Sequence, residues 1–129
     1  MALFTFLVED NRTIRDNLIP ALEDLADAAV VGMAESESDA VIWLSSHPDD
    51  WQLLIVDLFL KEGSGLGVLR SCINRPDSKR AVVLSNYINA DIRARCMALG
   101  ADAVFDKSRD LDAFFDYCND GKRAHSRTL

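Results

Sequence analysis

The sequence predicts an α/β fold in which a doubly wound sheet of five parallel strands is covered by five helices, all in a single domain. Short apolar runs alternate along the chain with longer stretches of helical period, which is the pattern of repeated strand–helix units. The length of 129 residues suits one domain and is large enough to bury a core without disulfide or metal support.

Five short apolar segments predict the strands. They are residues 3–8, 29–33, 53–56, 81–84 and 103–105. The third segment is apolar throughout, which indicates a strand that is buried on both faces of a parallel sheet. An acid, Asp57, follows it directly. Because an unpaired buried charge is costly, Asp57 must lie at the solvent-facing end of the strand or be held by a positive group.

Polar caps and apolar periodicity predict the helices. The first begins near Asn11, a good N-cap, and places four apolar residues on one face: Ile14, Leu18, Leu22 and Leu25. A second begins near Ser36, with Asp39 three residues later, and ends near 47–48, where a proline stops it. The third runs from about residue 64 to 74.

Two further helices complete the alternation. The fourth spans about residues 89–99, before Gly100 as a natural C′ residue. The fifth follows Ser108 and carries an apolar stripe formed by Leu111, Phe114, Phe115 and Cys118. We expect the domain to span residues 1–120, and residues 121–129 to form a polar C-terminal tail because this segment is aperiodic.

Composition excludes several classes of function. The net charge of −7 argues against binding to nucleic acid or to an anionic membrane, since both depend on basic patches. No stretch approaches the roughly 18 apolar residues that span a bilayer, and no signal peptide is recognisable, so we expect a cytoplasmic protein. Three widely separated cysteines are interpreted as small apolar groups.

Polar side chains follow four of the predicted strands. Glu9 and Asp10 follow the first strand, Asp57 the third, Ser85 the fourth, and Lys107 comes two residues after the fifth. Ligands of open parallel sheets bind beyond the carboxyl ends of the strands, so these side chains should converge. Three crowded carboxylates suit a small divalent cation such as Mg²⁺. Together with a lysine and a hydroxyl they can support phosphoryl transfer, with the central Asp57 as the nucleophile.

The order of these polar residues along the chain matches that of a known protein family. The chain resembles the receiver domain of bacterial two-component response regulators over essentially its whole length, which implies a flavodoxin-like fold. The matching positions are Glu9, Asp10, Asp57, Gly65, Ser85 and Lys107.

The resemblance implies a phosphorylation-controlled signalling domain that is not an enzyme beyond slow autodephosphorylation. Asp57 would accept a phosphoryl group from a sensor histidine kinase or a histidine phosphotransfer protein, and Ser85 and Lys107 would bind its oxygens. The Mg²⁺ (or Mn²⁺) ligands would be Glu9, Asp10, Asp57 and the backbone carbonyl of Phe59. The surface of the fourth helix, fifth strand and fifth helix would report the change to a downstream protein, and it is a candidate homodimer interface.

The chain departs from the family pattern at several positions. Val104 stands where an aromatic that swings inward is common, and Ser108 stands where proline is common. A cis bond without proline costs about 3–4 kcal/mol, so we expect a trans peptide before Ser108. Asn86 replaces a small residue and is expected to narrow the approach to Asp57. Phe59 and Tyr87 replace polar groups that can align a hydrolytic water, which predicts a long-lived phosphoryl group.

Other interpretations are weaker. The glycines at 63–67 do not match a dinucleotide fingerprint, because its third glycine would fall at Val68. The first two acids could simply favour the positive end of the first helix, but this leaves Asp57 and Lys107 unexplained. We therefore favour a stand-alone receiver that acts as a switch or a phosphorelay intermediate. The alternatives are a receiver-like interaction module that is not phosphorylated and, less favoured, an aspartyl-phosphate phosphatase, which would need a second acid where Phe59 stands.

Overall fold

The computed structural model describes the backbone of residues 2–127 and the side chains of residues 2–119. Strands and helices alternate in the order β1 (Leu3–Val8), α1 (Arg12–Leu25), β2 (Ala28–Ala34), α2 (Glu37–Ser46), β3 (Leu53–Val56), α3 (Gly65–Ser71), β4 (Arg80–Ser85), α4 (Ala90–Ala98), β5 (Ala103–Asp106) and α5 (Leu111–Arg127). In this part of the chain, no helix is both long enough and apolar enough to cross a membrane.

The five strands form one parallel sheet in the order β2-β1-β3-β4-β5. This confirms the predicted doubly wound fold. All four residues of the central strand β3 are buried, as its unbroken apolar sequence predicted. Because every strand runs in the same direction, all five carboxyl ends lie along one edge of the sheet.

Two hydrophobic cores cover the two faces of the sheet. One contains Phe6 together with Leu44 of α2 and Cys96 of α4. The other contains Leu22 of α1 and Phe114 of α5. Burial on both faces holds the strands rigidly and so fixes the positions of the loops at their ends.

The predicted helix caps Asn11 and Ser36 are confirmed, and Asn89 caps α4 in the same way although no cap was predicted there. Asn11, Ser36 and Asn89 each accept a hydrogen bond from the backbone N–H three residues further on. Each cap of this kind stabilises a helix by about 1 kcal/mol. Ser64 caps α3 through the N–H of Leu66, so this helix begins beside the loop that follows β3.

Two residues of the predicted apolar faces are exposed. Leu25 is 58% exposed and Leu111 is 41% exposed. Leu25 is the last residue of α1 and Leu111 is the first residue of α5. The helical period predicts an apolar face, but it does not show how far along the helix that face is covered.

Two predicted helix ends also differ from the structure. Helix α3 ends at Ser71, three residues before the predicted end at residue 74. Past Ser71 the backbone makes tighter hydrogen bonds over three residues, from Ile73 to Arg70 at 3.4 Å and from Arg75 to Cys72 at 3.2 Å. Pro76 has no N–H with which to continue the α-helical series. Helix α5 continues to Arg127, past the predicted start of the polar tail. Residues 128–129 lie outside the described residues, and the domain limit at residue 120 stays a prediction.

Candidate functional site

The carboxyl edge of the sheet brings together the side chains that follow β1, β3, β4 and β5. Backbone pairing extends past the strand ends. Asp57 donates its N–H to Val8 at 3.0 Å, and Lys107 donates its N–H to Ser85 at 3.0 Å. The starting points of these side chains are therefore fixed by the sheet itself.

Asp57 is held by three donors. The Ser85 hydroxyl donates to Oδ1 of Asp57 at 2.5 Å, and Nζ of Lys107 donates to Oδ2 at 2.9 Å. The backbone N–H of Phe59 also donates to Oδ1, at 3.2 Å. Asp57 is 8% exposed, so it is buried rather than solvent-facing, and the second explanation of this acid holds: the positive group of Lys107 pairs with it.

Lys107 also hydrogen-bonds to Glu9 and thus bridges two acids. Burial and the nearby charge of Asp57 raise the pKa of Glu9, although the hydrogen bond from Lys107 acts in the opposite direction. Burial alone would lower the pKa of Lys107. The hydrogen bonds and charges of Glu9 and Asp57 outweigh burial and raise it. The ammonium therefore stays charged between the two carboxylates.

Glu9, Asp10 and Asp57 form a candidate metal site. One carboxylate oxygen of each lies within 4.8 Å of the others. Oxygen ligands of Mg²⁺ lie about 2.0–2.1 Å from the ion, so two ligands on opposite sides are about 4 Å apart. The three acids thus fit one small hard cation after a small adjustment. The predicted fourth ligand, the carbonyl of Phe59, belongs to the loop that follows β3.

Gly65 lets this loop lie directly on the backbone of Asp57. A Cβ atom at position 65 would lie 2.3 Å from the carbonyl oxygen of Asp57 and 2.8 Å from Cα of Leu58. The N–H of Gly65 donates to the carbonyl of Leu58 at 3.1 Å. Both atoms that a side chain would meet belong to the backbone, which explains why glycine is required here.

Two neighbouring contacts were not predicted from the sequence. Arg15 of α1 is buried and donates to the backbone carbonyl of Glu9 at 2.8 Å, while it pairs with Glu35 at 2.7 Å. No local pattern marks this arginine, because its partners lie in other segments. The other contact joins Asp106 and Ser108.

Asp106 organises the turn that carries Lys107. Its Oδ1 accepts hydrogen bonds from the backbone N–H of Ser108 at 2.8 Å and from the Ser108 hydroxyl at 2.5 Å. These bonds lower the pKa of Asp106. An aspartate side chain often accepts from the backbone N–H two residues further on, and this turn tendency could have revealed the contact. The peptide bond before Ser108 is trans, as predicted.

The structure also shows the surroundings of the residues that depart from the family pattern. Val104 is buried and accepts a hydrogen bond from Arg93 at its carbonyl, at 2.8 Å. Because this residue is valine, no aromatic side chain can swing inward here. Tyr87 is 83% exposed and Phe59 is 53% exposed. Asn86 is exposed as well, and its expected narrowing of the approach to Asp57 stays a prediction.

Comparison with known proteins gives one family and several relatives. The family described as the response regulator receiver domain matches residues 5–119. The acid tolerance regulatory protein ActR of Rhizobium meliloti (strain 1021) is 30% identical over 106 residues, which are 82% of this chain and 53% of that protein. The DNA-binding transcriptional activator DevR/DosR of Mycobacterium tuberculosis is 27% identical over 97 residues, covering 74% and 43%. This chain spans about half the length of these curated relatives.

Solved structures show the same fold. The signal receiver domain of a putative Luxo repressor protein from Vibrio parahaemolyticus superposes with a TM-score of 0.81 at 21% identity, over 100% of this chain and 97% of that one. The non-phosphorylated HemR receiver domain from Leptospira biflexa gives a TM-score of 0.79 at 24% identity, covering 92% and 93%. At 21% and 24% identity, these two matches show that the fold is shared and show no more than that.

Proposed function

We propose, since this chain belongs to the family of response regulator receiver domains, that Asp57 accepts a phosphoryl group from a phosphohistidine of a sensor histidine kinase or a histidine phosphotransfer protein. One observation carries the proposal. Lys107 and Ser85, from two different strand ends, donate to different oxygens of the same buried carboxylate. Such an arrangement supplies a nucleophile and two donors for phosphoryl oxygens in one place.

In the proposed transfer, a carboxylate oxygen of Asp57 forms a bond to phosphorus while the P–N bond of the phosphohistidine breaks. The electron pair of that bond remains on the imidazole nitrogen of the donor. Lys107 and Ser85 then donate to phosphoryl oxygens in place of the carboxylate oxygens that they hold now. Both groups therefore bind the carboxylate before the transfer and the phosphoryl group after it.

The acids would hold Mg²⁺ or Mn²⁺. Glu9, Asp10 and Asp57 would contribute carboxylate oxygens, and Phe59 would contribute its carbonyl. When bound, the cation neutralises charge on the phosphoryl oxygens. The short spacing of the three carboxylates supports this assignment, since a cation relieves their mutual repulsion.

The phosphorylated domain would act as a switch towards a protein partner or as a phosphorelay intermediate. Ser85 ends β4, so its move towards a phosphoryl group would shift the loop that leads into α4. We propose that the surface of α4, β5 and α5 reports this shift to a downstream protein and is a candidate homodimer interface. A net charge of −7 favours proteins over nucleic acid as direct partners. The proposed location is the cytoplasm.

The direct test is phosphorylation by a small donor. The protein is incubated with Mg²⁺ and acetyl phosphate, and its intact mass is measured. We expect the mass of one added phosphoryl group, which disappears in Asp57→Asn and when Mg²⁺ is removed with a chelator. Circular dichroism of Asp57→Asn checks that the variant folds.

The same incubation, together with an assay of phosphate release from acetyl phosphate and from varied phosphate esters, separates the alternatives. A single modification without steady release of phosphate supports the switch, with at most slow loss of its own phosphoryl group. Continuous hydrolysis of varied phosphate esters would instead indicate a phosphatase. An unmodified wild-type protein would indicate an interaction module that is not phosphorylated.

A further inference from the structure

Glu37 connects the start of α2 to the loop that follows Asp57. Its Oε1 accepts a hydrogen bond from the backbone N–H of Ser64 at 2.8 Å, and its own N–H donates to the carbonyl of Glu62 at 3.1 Å. The residues joined by the first bond are 27 positions apart in the chain. Two elements that are separate in sequence are thus fastened at the loop between β3 and α3.

Two glycines make room for this carboxylate. A Cβ atom on Gly63 would lie 2.4 Å from Cβ of Glu37, and one on Gly67 would lie 2.3 Å from Cδ of Glu37. Gly63 also has φ of +80°, a conformation that other residues rarely adopt. The loop and the first turn of α3 are therefore shaped around the Glu37 side chain.

The contact reaches the candidate metal site through Ser64. Ser64 lies opposite Phe59 in an isolated antiparallel bridge. The neighbouring bond of this bridge runs from the N–H of Gly65 to the carbonyl of Leu58 at 3.1 Å. Phe59 and Ser64 therefore form a pair that does not exchange hydrogen bonds, so the N–H of Ser64 is available to Glu37.

We propose that Glu37 is a positioning residue that sets the affinity of the site for Mg²⁺. It fixes Ser64, and the neighbouring bond from the N–H of Gly65 to the carbonyl of Leu58 ties that segment to the one that carries Phe59. The Phe59 carbonyl then completes the ligand set with the three acids. This inference rests on the proposed function in one respect: it takes the carbonyl of Phe59 as a metal ligand. Glu37 itself does not touch the metal.

The primary measurement is the dissociation constant for Mg²⁺, obtained from ¹⁵N–¹H NMR shifts of the backbone amides at residues 9–11 and 57–59. For Glu37→Ala we expect a dissociation constant raised at least fivefold. Glu37→Gln should stay within twofold of wild type, because its amide oxygen still accepts from Ser64. The Ser64 amide proton should shift upfield in Glu37→Ala and stay in place in Glu37→Gln.

Gly67→Ala tests the same contact from the other side. The new methyl group would displace the Glu37 carboxylate, which can swing away because it is the end of a flexible side chain. Alanine also favours the helix more than glycine does. A purely structural role for Glu37 would leave Mg²⁺ affinity unchanged in this variant. We expect affinity to fall as in Glu37→Ala, and the double variant Glu37→Ala/Gly67→Ala to be no weaker than Glu37→Ala alone.

Arg75→Ala is the matched control for general destabilisation. Arg75 pairs with Asp102 at 2.8 Å and also donates to the carbonyl of Gly100, away from the carboxyl edge of the sheet. This variant should lower Tm without changing the dissociation constant for Mg²⁺.

The outcomes are distinct. Unchanged Mg²⁺ affinity in both Glu37→Ala and Gly67→Ala would overturn the positioning role, and so would an equal loss of affinity in Arg75→Ala. A wild-type protein that binds Mg²⁺ but is not phosphorylated would overturn the proposed function and leave the role of Glu37 standing. A wild-type protein that does not bind Mg²⁺ would overturn both.

Discussion

The hydroxyl of Ser85 lies 2.5 Å from Oδ1 of Asp57 and donates a hydrogen bond to it across two neighbouring strand ends. Ser85 is completely buried, and its oxygen accepts from the N–H of Leu58 at 3.3 Å. The hydroxyl is thus oriented by the backbone that follows Asp57, which leaves its proton for the carboxylate. A phosphoryl group on Asp57 would compete for this donor.

Ser85→Ala should therefore slow phosphorylation by acetyl phosphate. Removing one oriented donor commonly costs about 10²-fold or more in enzymes, and we expect roughly a 10- to 100-fold slower rate here. Ser85→Thr keeps the hydroxyl and should lose less. The measurement is the rate of mass increase at saturating Mg²⁺. An unchanged rate in Ser85→Ala would show that the hydroxyl does not assist the transfer.

A second prediction concerns the lifetime of the phosphoryl group. Phe59 is an exposed aromatic with no group that can orient a hydrolytic water. Phosphorylated wild-type protein should keep its phosphoryl group for minutes or longer after the donor is removed, and Phe59→Asn should lose it faster. Decay is followed by intact mass. Loss within seconds in the wild type would contradict the prediction.

The loop glycines give a third prediction. Gly65→Ala places a methyl group against backbone atoms of Asp57 and Leu58, which cannot move away. Overpacking of this kind costs about 1–3 kcal/mol, and we expect that loss in the free energy of unfolding. Gly67→Ala is the matched control, since its methyl group meets a flexible side chain. Urea unfolding of both variants makes the comparison. A Gly65→Ala variant as stable as the wild type would show that the loop can move away from Asp57.

The sequence predicted those parts of the fold that depend on local signals. The apolar run 53–56 became the buried central strand, and the caps Asn11 and Ser36 formed as expected. The exposure of Leu25 could not be predicted, because helical period does not show how far towards the end of α1 the apolar face is covered. Local sequence pattern thus predicts the helices, the strands and their apolar faces. The burial of a given residue depends on what packs around it in the folded protein.

In the candidate site, too, some features follow from local sequence signals and others depend on the folded neighbours. Convergence of Asp57, Ser85 and Lys107 follows from parallel strand order, since each residue ends or follows a strand. Contacts that join distant segments left no pattern in the sequence. The bridge from Lys107 to Glu9 and the contact of Glu37 with Ser64 are both of this kind. They depend on side-chain reach and on the space between loops.

A fourth prediction follows from the lowered pKa of Asp106. The hydrogen bonds from Ser108 favour its charged form in the folded protein, whereas the carboxyl of the unfolded chain titrates near 3.8. The resulting stabilisation is present above pH 3.8 and is lost as the pH falls through the lower pKa of the folded state. In Ser108→Ala the pKa should move up towards 3.8.

Carboxyl ¹³C NMR titration of Asp106 checks this shift directly. Urea unfolding of wild type and Ser108→Ala between pH 6 and 3 is the second measurement, and the stability difference between them should shrink as the pH falls below 3.8. An identical pKa in both proteins would show that the Ser108 hydroxyl does not stabilise the charged carboxyl.

The central claim is that Asp57 is the phosphoacceptor, and chemical trapping tests it most directly. Protein incubated with Mg²⁺ and acetyl phosphate is reduced with borohydride, which converts an aspartyl phosphate to homoserine, and its peptides are mapped by mass. We predict homoserine at position 57 and unmodified aspartate at positions 10 and 106. Homoserine at another position, or none in a protein shown to be folded, would contradict the account.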